Sequence, residues 1–421
     1  MKYPLLAALC CCAMLVCTAN AQPNYKAVSL TVWGGGDGTA DEHPLTMDNL
    51  RLDQLSQSLD NMQAIGVDTV GVNVFWLQDN INSQLISPDP TGASGFAGTA
   101  TTEVTTTVID AIHDRGMKVM LKPLVNLRND PSHWRGQIPG SDSWFWGSGQ
   151  AVHDGTHAGA ADDPYDGYAN YIYHWAEIAQ AHNVEIFAIG TELASASGGP
   201  TNEARWRAAI GSDGGDGVGG SGSGIRNRYD GLLTYAAQPA WSPSPPATTA
   251  TAADIRWWDE MDFLGVDAYY PLTDYYGNND DPSLETLIAA WEGHADMLAD
   301  WSAAHGLDVL LTEVGYTSSD GTTRHPWELP GSSPEDQAEQ AAAYQALLTA
   351  LWDEPFFEGA FWWNWEIDPD PSDWDHAPTW FTPQGKLAED VLADYYVPEP
   401  SSLLLMAFGA WVIRRNRRTA G

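Results

Sequence analysis

Apolar runs of strand length recur along this chain, and amphipathic stretches of helical length separate several of them. Eight runs read as strands: Ala27–Trp33, Val67–Trp76, Met117–Val125, Val184–Glu192, Gly231–Ala236, Met261–Tyr269, Leu307–Glu313 and Gly359–Trp365. Several are almost continuously apolar, the pattern of strands buried on both faces in a parallel sheet. Leu50–Ile65 carries the apolar spacing of a helix, and Gly66 ends it before the second strand. Helices are likewise expected over Thr102–Arg115, Asp166–His182, Leu284–His305 and Pro334–Trp352, each leading into the next strand. Helix then strand, repeated around the chain through eight units, predicts an α/β fold closed as a (β/α)8 TIM barrel. No Gly-rich phosphate loop follows the first strand, which argues against an open dinucleotide-binding sheet.

Two of these runs end in glutamate. VEIFAIGTEL places Glu192 at the end of the fourth strand, and LDVLLTEVGY places Glu313 at the end of the seventh. Burial disfavours a charged carboxylate, so an acid at such a position needs a reason. In a closed parallel barrel both would project into the mouth at the C-terminal face, where active sites are built. Paired carboxylates there are the equipment for glycoside hydrolysis. Buried carboxylates can also simply pair with a cation, and Lys122, near the end of the third strand, is placed to do so or to meet substrate. Asp267, Asp368 and Asp370 read as supporting or solvated acids. The eleven histidines show no metal-ligand spacing, and no Gly-x-Ser-x-Gly elbow occurs. No metal or organic cofactor is expected.

The aromatic content sharpens this picture. Twenty tryptophans are present, many at strand ends or in the loops that follow. The apolar face of a pyranose stacks on an aromatic ring while neighbouring polar groups read its hydroxyls. Trp76, Trp363 and Trp365, each at the C-terminal end of a strand, are expected to be sugar platforms. Strand alternation puts Phe361, Trp363 and Trp365 on one face and Trp362 on the other. Trp257, Trp258, Trp291 and Trp301 are expected in the core. Long loops at Gln78–Ala100, Asn126–Asp163 and Tyr270–Asp281 suit a site at the barrel mouth. Gly211–Gly224 reads as a surface insertion interrupting a helix that begins at Asn202.

The ends read as processing segments rather than fold. Residues 1–21 combine Lys2, an apolar Leu5–Val16 and Ala19-Asn20-Ala21, the layout of a secretory signal peptide. All four cysteines fall inside it, so the mature chain has neither thiol nor disulfide. At residues 397–421, Pro398-Glu399-Pro400 precedes an apolar run, Ser401–Ile413, and then Arg414, Arg415, Arg417 and Arg418. This order resembles the PEP-CTERM sorting tail that an exosortase is thought to remove in Gram-negative bacteria. The expected product is an exported extracellular or cell-surface protein, membrane-associated only through that segment before processing. Residues 22–396 are left as the barrel domain. The net charge is −37, and trimming both ends makes the body more acidic still. Such a surface repels phosphate backbones, so nucleic acid is excluded as a partner, whereas a neutral polysaccharide is not.

Longer stretches point to one family. Trp134-Arg135-Gly136-Gln137-Ile138, Tyr168–Leu193, Leu233-Thr234-Tyr235, Leu311–Ser318 and the aromatic eighth strand resemble glycoside hydrolase family 113. This family lies within clan A of the retaining glycosidases, and its characterised activity is endo-β-1,4-mannanase. The resemblance implies Glu192 as acid/base and Glu313 as nucleophile. It also implies Tyr269 as the strand-six tyrosine that contacts the nucleophile, and Trp363 as the aromatic floor of the reactive subsite. Thr191 stands where the clan commonly has Asn, and Trp76 occupies the region of the clan's strand-two Arg. The expected reaction is hydrolysis of β-1,4-mannosidic bonds by double displacement. Hydrolysis or transglycosylation of another β-glycan, and a non-catalytic carbohydrate-binding barrel, are the alternatives.

Overall fold

A computed structural model describes residues 23–32, 45–88, 99–147, 165–211, 224–239, 252–274, 276, 281–370 and 377–397. The expected signal segment and nearly all of the sorting segment lie outside the described residues, as do Trp33 and the interior of the Gly-rich insertion. Eight strands appear in the expected order: β1 (Tyr25–Thr31), β2 (Thr69–Gln78), β3 (Lys118–Leu127), β4 (Ile186–Thr191), β5 (Leu232–Ala236), β6 (Leu264–Asp267), β7 (Val309–Val314) and β8 (Phe357–Trp365). All neighbouring pairs are parallel, in the sheet order β5-β4-β3-β2-β1-β8-β7-β6. A parallel bridge between Ala237 and Val266 brings β5 to β6, with Ala237 N–H donating to Gly265 O at 3.2 Å and Asp267 N–H to Ala237 O at 2.9 Å. These contacts close the eight-stranded barrel.

Helices α1 (Leu52–Ala64), α2 (Thr102–His113), α4 (Tyr168–Ala181), α6 (Gly199–Ile210), α7 (Leu284–His305), α8 (Gln337–Leu351) and α9 (Leu387–Tyr396) surround it, with short turns α3 (Asp142–Trp146) and α5 (Ala194–Ser197) on the loops. Local signals start and stop them. Thr101, Ser283 and Asp336 accept backbone N–H groups at the starts of α2, α7 and α8. Gly306, at φ 68°, ends α7 in the left-handed conformation. Gly211 and Gly224 lie against each other, so the Gly-rich insertion leaves and re-enters the fold at one point.

The core has two layers. A small inner cluster, including Tyr25, Met120, Ile186, Leu310 and Phe361, fills the barrel, and a far larger one lies between the strands and the helices. Every residue of β2 is buried, because one face meets the interior and the other meets the helices. Among the described residues no helix is long and apolar enough to cross a membrane.

Candidate active site

The barrel's upper interior is polar where its lower interior is apolar. Ser29, Asn73, Lys122, Thr234, Asp267 and Thr312 are all 0% exposed. Asp267 and Glu313 are register partners on β6 and β7, and each β7 neighbour pairing is irregular near the mouth. A bulge of this kind re-aims a side chain that plain alternation would send outward. Lys122 reaches across from β3 to both acids. Its Nζ lies 2.6 Å from Glu313 Oε1 and 3.0 and 3.2 Å from the two Asp267 oxygens, and Thr312 Oγ1 donates to Asp267 Oδ1 at 2.7 Å. The other Glu313 oxygen, Oε2, accepts the Tyr269 hydroxyl at 2.8 Å.

Two buried carboxylates thus share one ammonium. Burial pushes the Asp267 carboxyl above its usual range against the pull of Lys122, and the Glu313 and Glu192 charges add to the rise. For Lys122, burial opposes the charge, but the two acids outweigh it and hold the ammonium above its ordinary pKa. The Tyr269 phenol is held well above its ordinary value by burial and by the negative charges of Glu313, Asp267 and Glu192. It therefore stays protonated and can only donate to Glu313.

Glu192 follows the last residue of β4 and has φ 51°, a left-handed conformation that non-glycine residues rarely adopt. Its N–H donates to Ala236 O on β5, and its carbonyl accepts Ala194 N–H, both at 2.8 Å, so the flanking structure holds this backbone. Arg135 Nη1 donates to Glu192 Oε2 at 2.6 Å, and Arg135 Nε donates to Asn126 Oδ1 at 3.1 Å. The sequence Trp134–Gln137 makes this possible. Gln137 Oε1 accepts Trp134 N–H at 3.1 Å, tightening a single turn that fixes Arg135 facing β4. The second Glu192 oxygen has no such partner among the described residues.

The sequence matches glycoside hydrolase family 113 over residues 46–386. The chain belongs to this family. A PEP-CTERM protein-sorting motif also matches residues 397–418. Among solved structures, the chain is similar to a family 113 β-1,4-mannanase at 21% identity and TM-score 0.63, with 90% of this chain and 100% of that one covered. A family 113 β-mannanase from Alicyclobacillus acidocaldarius in complex with ManMIm is similar at 23% identity and TM-score 0.63, covering 90% and 99%. A GH5_18 variant from Streptomyces cattleya in complex with Manb1-4GlcNAc is more distant, at 17% and TM-score 0.51, covering 88% and 79%. At these identities the likeness is one of fold. The comparison with curated proteins returned no match.

As a family 113 glycoside hydrolase, the chain has its expected residues in unequal positions. Glu192, Glu313, Lys122 and Tyr269 meet at the barrel mouth. Lys122 lies beneath Glu313, fully buried, and supports the acid rather than presenting itself to a ligand. Trp363 is half-buried at the end of β8, in phase with the inward Phe361.

Trp76 and Trp365 are corrections. Trp76 is 3% exposed and packs against Tyr165, Tyr171, His174 and Trp175, with ring centroids 5.3–5.8 Å away. It follows Val70, Val72 and Val74 on the helix-facing side of β2, away from the mouth. Trp365 is 0% exposed, and its Nε1 donates to Ser58 Oγ of α1 at 2.9 Å. The β1–β8 register shifts between Ser29 and Leu30, pairing Ser29 with Trp363 but Leu30 with Trp365. One extra residue reverses the alternation, so Trp365 does not share the face of Phe361 and Trp363.

Asp267, read as a supporting or solvated acid, is the buried supporting one, paired with Lys122. Arg135 was named only within a family-like stretch and given no role, because it reaches Glu192 from a loop beyond β3.

Proposed function

We propose that this glycoside hydrolase cleaves β-1,4-mannosidic bonds with retention, Glu192 serving as acid/base and Glu313 as nucleophile. One observation carries the reading: two strand-end carboxylates at one mouth are held by different partners. Glu313 is clasped between Lys122 and Tyr269, while Glu192 is anchored through one oxygen by Arg135. Such pairs take different roles in glycoside hydrolysis because their surroundings differ. Family membership and the β-mannanase activity of two structurally similar family 113 proteins support the substrate class.

In the first step Glu313 attacks the anomeric carbon as the bond from that carbon to the leaving oxygen breaks. The leaving oxygen takes the bond's electron pair and a proton from Glu192 Oε1, the oxygen that Arg135 leaves available. In the second step Glu192 Oε1 removes a proton from water, the resulting hydroxyl bonds to the anomeric carbon, and Glu313 departs as carboxylate. Lys122 stabilises the carboxylate that leaves, Tyr269 orients it, and Trp363 offers the ring beneath the reacting sugar.

The test is hydrolysis of soluble mannan, glucomannan, xylan and β-glucan by purified protein, followed by reducing ends and by proton NMR of the first product. Mannan should be cut fastest, with the β-anomer appearing first. A first-formed α-anomer would refute the double displacement, and preference for xylan or β-glucan would refute the substrate.

The sorting-motif match supports reading the chain as an exosortase substrate, processed by removal of residues 1–21 and of the tail near Pro398. Intact mass of protein from a host carrying the exosortase should lack both segments. A full-length C-terminus on secreted material would contradict this.

A further inference from the structure

Beside Arg135 lies a cleft of about 750 Å³, within the size range of small-ligand sites, lined by Asn126, Arg128, Asp130, His133, Trp134 and Arg135 among others. Its floor is built before any ligand arrives. Arg128 N–H donates to Gln78 O at 2.8 Å, Asn129 N–H to Asp79 O at 2.9 Å, and Ile81 N–H to Asp130 Oδ2 at 3.3 Å, so the loop is laced to the end of β2. Within this frame Arg128 is anomalous. Its Nε and Nη2 are buried, yet neither has a hydrogen-bond partner among the described residues. By contrast Arg115, Arg135, Arg205, Arg207, Arg226 and Arg228 each meet an acid. Buried donors without partners are uncommon in a folded protein and call for an acceptor beyond the described residues.

We infer that this cleft is a sugar subsite adjoining the cleavage point, with Arg128 as a specificity-determining residue that donates to hydroxyls of a neutral β-linked pyranose. Asn126 joins it to the reaction centre, because it accepts from the same arginine that holds Glu192. Trp134 provides an apolar surface. Its ring lies over Gly136, where a Cβ would collide with it, so only glycine lets the ring settle against the turn. His133 Nδ1 and Asp130 Oδ1, 2.7 Å apart, satisfy each other and leave the guanidinium as the unpaired donor. A neutral ligand fits better than an anionic one, since the chain carries a net charge of −37 and repels polyanions at long range. The subsite rests on reading Glu192 and Glu313 as the cleavage centre.

The experiment is titration calorimetry in a Glu313→Gln background, which binds without turnover, using mannohexaose, cellohexaose, xylohexaose and hexameric β-1,4-mannuronate. At least one neutral hexaose should bind, and adding Arg128→Met should weaken it about tenfold or more, as expected for a lost hydrogen bond to a charged donor. Arg128→Lys, which keeps the charge but not the planar fork, should fall between the two. The melting temperature should stay level or rise with Arg128→Met, because the donors have no partner to lose among the described residues. Unchanged hexaose affinity, a lower melting temperature, tighter binding of the mannuronate, or no binding of any neutral hexaose would each overturn the assignment. Arg128-dependent binding of cellohexaose or xylohexaose by a protein that leaves mannan intact would keep the subsite and reject the mannanase reading.

Discussion

Replacing Lys122 by Met removes the one cation shared by Asp267 and Glu313 while keeping most of the side chain's volume. The three side chains are 0%, 0% and 9% exposed, so water cannot take over the role of the ammonium. At an effective dielectric of about 20, unit charges about 3 Å apart interact by roughly 5 kcal/mol, and two such attractions are lost. Proton uptake by Asp267, which burial already raises, relieves part of this. Breaking one partner out of a buried pair typically costs about 3–5 kcal/mol, and that is the expected loss near neutral pH. Urea unfolding followed by tryptophan fluorescence measures it. A carboxyl whose folded pKa lies above its unfolded value stabilises the fold when protonated, so stability falls as pH rises between the two values. The deficit of Lys122→Met should therefore shrink at about pH 5 relative to about pH 7.5. Adding Asp267→Asn removes the second carboxylate while keeping an acceptor for Thr312, and should recover at least ~1 kcal/mol. A Lys122→Met protein within about 1 kcal/mol of the parent near neutral pH, or strict additivity in the double variant, would refute the shared-cation account.

Further perturbations address other parts of the molecule. Glu192→Ala should retain the first step on an aryl mannoside with an acidic phenol, and azide should rescue it to the β-mannosyl azide, whereas Glu313→Ala should yield at most the α-product; NMR of the azides tells the roles apart, and the opposite pattern would reverse them. Glu366, beyond β8, is raised from 4.5 to about 7 by burial, although Thr31 and Asn364 donate to it. Because its folded value is the higher, the parent should lose up to roughly 3 kcal/mol as pH rises from about 4.5 to about 7, and Glu366→Gln should flatten that slope in urea titrations at the two ends. Trp76→Ala should cost about 3–5 kcal/mol of stability by opening a cavity against α4, with KM for mannan little changed in protein that remains folded; a raised KM without lost stability would return Trp76 to the substrate cleft.

The order of elements was legible in the chain itself. Strands buried on both faces read as apolar runs, helices carry their own period, and Gly66, Gly116 and Gly306 mark the turns into the next strand. Glu192 and Glu313 were legible for the same reason: an acid closing an apolar run stands out against its surroundings. Facing direction was not. In β2 all ten residues are buried, so no alternation of polar and apolar positions told Trp76 inward from outward. In β8 a register shift reversed the phase between Trp363 and Trp365, and such a shift depends on the partner strand rather than on the residues of β8 alone. Long-range partnerships were only partly legible: Lys122 stood out as a possible cation for the strand-end acids, but that it holds Asp267 and Glu313 together, and that Arg135 meets an acid 57 residues away, was not. Sequence by itself therefore determined which segments become strands, helices and the strand-end acids, because those properties follow from local period and composition. Closure of the barrel decided which side chains face the mouth and which cation answers which carboxylate, because those are set by register and by contacts that only the folded sheet creates.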